Sequence, residues 1–146
     1  MLPQPPRFDL LERLVAAPGL YRGRGDGPES GPFLARMRVS PVVRGRAVTL
    51  DFEATAEPDG LRRLEYAVLA VGDGGRPELY VAGLELPGMV RFVATGPEEF
   101  TAYDGQLAAR IVLTAPRPGT LTYAWWWSRD GSAPREQSRA DLRLTG

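Results

Sequence analysis

The chain contains no cysteine, no histidine and no lysine. Without thiols it can form no disulfide, no thiolate metal site and no cysteine nucleophile. Without imidazole it has no histidine-based catalytic triad, no mixed Cys/His zinc site and no histidine ligand for haem iron. Asp, Glu, Tyr, Ser, Thr and Arg remain for acid–base work or polar recognition, and none of them stands at the spacing of a catalytic motif. Binding is therefore expected rather than catalysis. The eighteen basic residues, all arginine, match eighteen acidic ones, so the net charge is zero and no long-range field gathers polyanions. Neither nucleic acid nor a membrane is an expected partner. No apolar run is long enough to span a bilayer. The opening Met1-Leu2-Pro3-Gln4-Pro5-Pro6-Arg7 lacks the basic start and long apolar stretch of a secretory signal, which predicts a cytoplasmic protein.

What is present describes one globular domain over residues 1–146, with 43% apolar and 25% charged residues. Phe8, Leu11 and Val15 recur at helical spacing with Leu10 and Leu14 beside them, predicting one short amphipathic helix over 7–16 that ends at Pro18-Gly19. From there the periodicity becomes two. Turn signals recur about every ten residues: Gly25 to Gly31, Arg44-Gly45, Pro58-Asp59-Gly60, Gly72 to Gly75, Pro87-Gly88, Gly96-Pro97, Asp104-Gly105, Pro118-Gly119 and Asp130-Gly131. Between them lie about ten strand candidates, centred near Tyr21, Met37, Leu50, Tyr66, Tyr80, Phe92, Thr101, Val112, Ala124 and Asp141. Such short connections predict an all-β fold, an antiparallel up-and-down barrel over 19–145.

The faces of these strands carry the functional expectation. Val48, Leu50 and Phe52 alternate with Thr49, Asp51 and Glu53, and Phe33, Ala35, Met37 and Val39 oppose Arg36 and Arg38. Leu121, Tyr123, Trp125 and Trp127 share one face of the ninth strand, and Trp126 takes the other. A closed sheet of this size leaves room for one small ligand. The tryptophans read either as strand packing or as a flat apolar wall of a pocket, and an exposed one would mark a homodimer seam. Glu65, inside the apolar run Leu64 to Val71, is expected at the surface; turned inward, it would need an arginine partner. Glu98 and Glu99 are adjacent, so they point to opposite faces and share no proton.

The order of landmarks resembles the nitrobindin-like family, ten-stranded barrels related in shape to fatty-acid-binding proteins and lipocalins. Gly19-Leu20-Tyr21-Arg22-Gly23-Arg24-Gly25 is similar to that family's G-x-W-x-G-x-G opening, with Tyr21 in place of tryptophan. Gly45 to Glu53, Leu64-Glu65-Tyr66-Ala67, Pro77 to Ala82 followed by Pro87-Gly88-Met89-Val90 and Gly96, Gly119 to Tyr123 and Ala140 to Arg143 continue the likeness. It implies a barrel pocket, haem and peroxynitrite isomerisation in members that carry an iron-binding histidine. This chain has Gln137 at that position, and glutamine is a poor ligand for iron. The leading expectation is therefore a cofactor-free barrel that binds a small hydrophobic or aromatic molecule among Tyr21, Met37, Leu50, Phe52, Tyr66, Phe92, Trp125, Trp127 and Gln137. The alternatives are an isomerase-like enzyme that holds haem without histidine, and a β-sandwich using its tryptophans as a carbohydrate platform.

Overall fold

The computed structural model describes residues 9–56, 60–104, 107–128 and 131–146. A short helix, α1 (Leu10–Ala16), precedes ten strands: β1 (Gly19–Asp26), β2 (Phe33–Val42), β3 (Ala47–Ala56), β4 (Gly60–Val71), β5 (Pro77–Gly83), β6 (Met89–Gly96), β7 (Glu99–Asp104), β8 (Leu107–Thr114), β9 (Thr120–Ser128) and β10 (Arg135–Leu144). Each strand pairs antiparallel with its neighbour in sequence, and β1 pairs with β10 to close the barrel. The sandwich alternative is thereby excluded. All ten expected strand centres fall inside strands. The expected turn residues Pro58, Asp59, Gly105 and Asp130, and the N-terminal Phe8, lie outside the described residues.

The closing seam depends on glycine. Gly23, Gly25 and Gly27 stand at alternate positions of β1 and its exit, and a Cβ on each would meet the backbone carbonyl of Asp141, Arg139 and Gln137 respectively. The missing side chains let β1 coil tightly onto β10. Gly25 also makes room for the ring of Phe33, which lies in the space its side chain would occupy.

One end of the barrel is closed. Leu10, Leu11 and Leu14 of α1 are buried, Arg13 donates to the Ala115 carbonyl at 2.9 Å, and the Tyr21 hydroxyl donates to the Ala17 carbonyl at 2.6 Å. Val15 of α1 also abuts the β2–β3 turn at Gly45. That turn is strained, since Val43 and Arg44 have φ of 51° and 54°, left-handed values that a β-branched residue rarely takes. Val43→Gly is therefore expected to stabilise the protein by about 0.5–1 kcal/mol, read as a rise of roughly 2–3 °C in Tm. An unchanged or lower Tm would show that the turn carries no strain.

Inward and outward faces follow the expected alternation on β2, β3 and β9, and β4 departs from it. Its buried set is Glu65, Ala67 and Leu69, whereas Leu64 and Tyr66 are exposed. The register decides this: Glu65, Ala67 and Leu69 lie directly opposite Phe52, Leu50 and Val48 of β3, and directly opposed residues share a face. Tyr66 therefore stands on the outer wall, not in the interior, and Glu65 is inside. On β9, Trp126 faces outward, half-buried, with the Arg110 guanidinium 5.9 Å from its ring centre. No exposed tryptophan marks a seam between chains. Glu98 accepts from the Ala115 amide and Glu99 pairs with Arg110, so the two carboxylates serve different partners.

Candidate functional site

The barrel interior changes character along its axis. On β4 the inward side chains run from Leu69, 0% exposed, through Ala67 at 3% to Glu65 at 9%, and on β9 from Leu121 at 1% through Tyr123 at 2% to Trp125 at 5%. Beyond them come Arg63, whose side chain is 17% exposed, and the half-buried Trp127. Side-chain exposure on β4 and β9 thus rises toward the end opposite α1. Tyr21, Met37, Leu50 and Phe92 below the level of Glu65 and Trp125, and Phe52 directly opposite Glu65, are all but completely buried. They form a packed floor.

At this boundary sits a closed polar cluster. Glu65 Oε1 accepts from Trp125 Nε1 at 2.9 Å and from the Tyr123 hydroxyl through a short hydrogen bond, and Trp125 Nε1 also lies 2.8 Å from the Tyr123 oxygen. Glu65 Oε2 accepts from Arg63 Nε at 3.0 Å and Nη2 at 2.6 Å, while Arg63 Nη1 donates to Ser138 Oγ. The buried carboxylate thus has its cation, which is the arrangement that offsets the loss of hydration. Aromatic rings frame the pair. The Arg63 guanidinium lies 5.4 Å from the Phe52 ring centre and 5.7 Å from that of Trp125, and Trp125 meets Phe92 edge-on at 5.5 Å and Trp127 at 6.3 Å.

Burial pushes the Tyr123 phenol well above its ordinary range, and the negative charge of Glu65 adds to this while Arg63 opposes it. Because the folded state holds this proton more tightly than the unfolded state, its contribution is intact below about pH 10 and is lost as pH rises beyond that. Urea unfolding between pH 9 and 12 is expected to show stability falling with pH, with the fall shallower in Tyr123→Phe by up to about 1.4 kcal/mol per pH unit. Equal slopes in the two proteins would contradict this assignment.

Two open concavities border the accessible end. One, of about 580 Å³, runs over the β1–β10 rim and includes Gly25, Glu136, Ser138 and Arg139. The other, of about 280 Å³, is lined by Phe33, Thr55, Ala56 and Gly60 among others. Ser138 belongs both to the lining of the first concavity and to the Arg63 cluster.

No protein-family model and no curated protein matches the chain. Among solved structures, the crystal structure of Rv2717c from M. tuberculosis is similar over 99% of this chain and 100% of its own, with a TM-score of 0.63 at 20% identity. The S-type phycobiliprotein lyase CPES from Guillardia theta aligns over 94% of this chain and 92% of its own, with a TM-score of 0.59 at 10% identity. A redesigned β-barrel, mFAP0, bound to DFHBI, aligns over 89% and 98%, with a TM-score of 0.51 at 15% identity. The likeness shows the fold alone, a closed ten-stranded antiparallel β-barrel.

Within this barrel, the expected site residues divide into groups. Tyr21, Met37, Leu50, Phe52 and Phe92 belong to the sealed floor, Trp125 stands at the boundary, and Trp127 lines the accessible end. Tyr66 is outside. Gln137 occupies a β-bulge where pairing with β9 shifts between Glu136 and Ser138, and its amide donates to the Trp127 carbonyl at 3.2 Å. That bond engages the amide nitrogen, and the glutamine oxygen is a poor ligand for iron. The most deeply buried oxygen donors near it, Glu65 and Tyr123, are bound to each other. The residues present therefore do not fit an axial haem ligand. Arg63 and Ser138 escaped the sequence reading. The signal for Arg63 was the requirement that an inward Glu65 have an arginine partner, two residues away on the same face of β4.

Proposed function

We propose that the protein binds a small hydrophobic or aromatic molecule in the outer half of the barrel, above a floor set by the Arg63–Glu65 pair. The observation that carries this reading is the rise of side-chain exposure along β4 and β9 toward the end opposite α1, from 0–1% at Leu69 and Leu121 to 9% at Glu65 and 5% at Trp125, with Trp127 half-buried beyond them. The wall of the open half, with Phe33, Trp125, Trp127 and Ala109, offers aromatic surface and small residues, the composition of a site that gains affinity by burying apolar area. Neighbouring folds lend support: mFAP0 is described as bound to DFHBI, and CPES as a phycobiliprotein lyase. The nitrobindin-like landmarks favour the same use of the barrel, here without a histidine-held iron.

Binding is favoured over catalysis on chemical grounds. Both Glu65 oxygens are already engaged by Arg63, Tyr123 and Trp125, and the Tyr123 phenol is held too high to lose its proton near neutrality. Titration with N-phenyl-1-naphthylamine, a probe that fluoresces in apolar sites, tests the reading. One saturable site with Kd of about 1–10 μM is expected, weakened about tenfold or more by Ala109→Phe, which fills the open half beside Trp127. Absence of saturable binding, or binding indifferent to Ala109→Phe, would refute it.

A further inference from the structure

Ligand charge is the next property the cluster determines, and the argument rests on the binding site proposed above. A barrel with one buried, unpaired arginine attracts carboxylates, since a guanidinium presents a fork of donors matched to an anion. Here that attraction is already spent. Glu65 Oε2 lies 2.6 Å from Arg63 Nη2, and both side chains are mostly buried, so an anion entering the open half meets a cation whose charge is cancelled and a carboxylate that repels it. The rim adds no compensating field, because the larger concavity carries Arg24 and Arg139 against Asp26, Glu136 and Asp141. Arg63 still has hydrogen-bonding capacity. Three of its donors are engaged among the described residues, by Glu65 twice and Ser138 once, and a guanidinium has five N–H groups.

We infer that Glu65 sets the charge specificity of this site: the protein takes uncharged aromatic molecules carrying a hydrogen-bond acceptor and rejects their anionic counterparts, fatty-acid-like carboxylates included. Glu65 acts by neutralising Arg63 and repelling anions, so its removal should convert the site into one that accepts them.

A matched pair of probes reads this directly. N-phenyl-1-naphthylamine is uncharged, and 8-anilino-1-naphthalenesulfonate is the same ring system bearing one sulfonate. The quantity measured is the ratio of their Kd values, which cancels general changes in the cavity. The wild-type protein is expected to favour the uncharged probe by about tenfold. Glu65→Gln should shift the ratio about tenfold toward the sulfonate, and Arg63→Met, which leaves the carboxylate without its cation, should shift it away by a similar factor. A loosened fold would move both variants the same way, so opposite displacements identify charge as the cause. If Arg63→Met, the more destabilised of the two, fails to fold, the Glu65→Gln displacement and the wild-type preference still decide the matter. A wild-type protein that prefers the sulfonate, or a ratio equal in all three proteins, would overturn this inference and leave the binding site standing. Failure of N-phenyl-1-naphthylamine to bind wild type would overturn the site and the inference together, whereas undetectable binding of the sulfonate alone is the limiting case of the expected preference.

Discussion

Arg63→Met is expected to cost about 3–5 kcal/mol of stability, because it strands the Glu65 carboxylate inside the barrel without a cation. The environment sets that size. Glu65 is nearly buried, sits between Phe52, Tyr123 and Trp125, and has no other cation within salt-bridge distance among the described residues. Adding Glu65→Gln to the same protein should restore most of the loss. The amide oxygen can still accept from Tyr123 and Trp125, and the buried charge is gone. The double-mutant cycle is expected to return a coupling of about 2 kcal/mol or more between the two positions, measured by urea unfolding at pH 7. Additive losses would mean that the two side chains do not depend on each other.

The second large effect belongs to the seam that closes the barrel. Gly23→Ala places a methyl group against the Asp141 carbonyl, which is backbone and cannot swing aside as a side chain could. The strands β1 and β10 must separate, with a cost of about 3 kcal/mol or more and a fall of roughly 10 °C in Tm. Gly31→Ala serves as the control. Gly31 has open space around it, so only its φ of 65° resists the substitution, and its penalty should be about 1 kcal/mol. Similar losses at both positions would show that glycine acts through backbone freedom rather than through close approach.

The sequence made the architecture legible because its signals are local. Turn residues at short, even spacing and the period-two alternation of Val48 to Phe52 depend on neighbours within a few positions, and they led to ten strands in the right places. The interior of β4 was not legible in the same way. Leu64, Tyr66 and Val68 form as convincing an apolar stripe as any in the chain, yet they face outward because pairing with β3 sets the parity of the strand. Hydrophobic alternation alone cannot tell which of two faces is inside when a charged pair is buried on one of them. The bulge at Gln137 was hidden for a related reason. No glycine marks it, and it exists only in the shifted pairing with Trp125 and Trp126. The depth of the sealed floor was also out of reach, since it depends on how α1 and opposing strands fill the same volume.

The account rests on the interior being divided near Glu65, packed toward α1 and open to a ligand on the other side. Backbone and indole amide chemical shifts, followed by ¹⁵N NMR as N-phenyl-1-naphthylamine is added, test this most directly. The predicted result is saturable change at the Trp125 and Trp127 indoles and at Ala109 and Ser138, with Met37, Leu50 and Leu69 unmoved. Changes that penetrate to those three residues, or that stay on the outer wall around Tyr66 and Trp126, would contradict it.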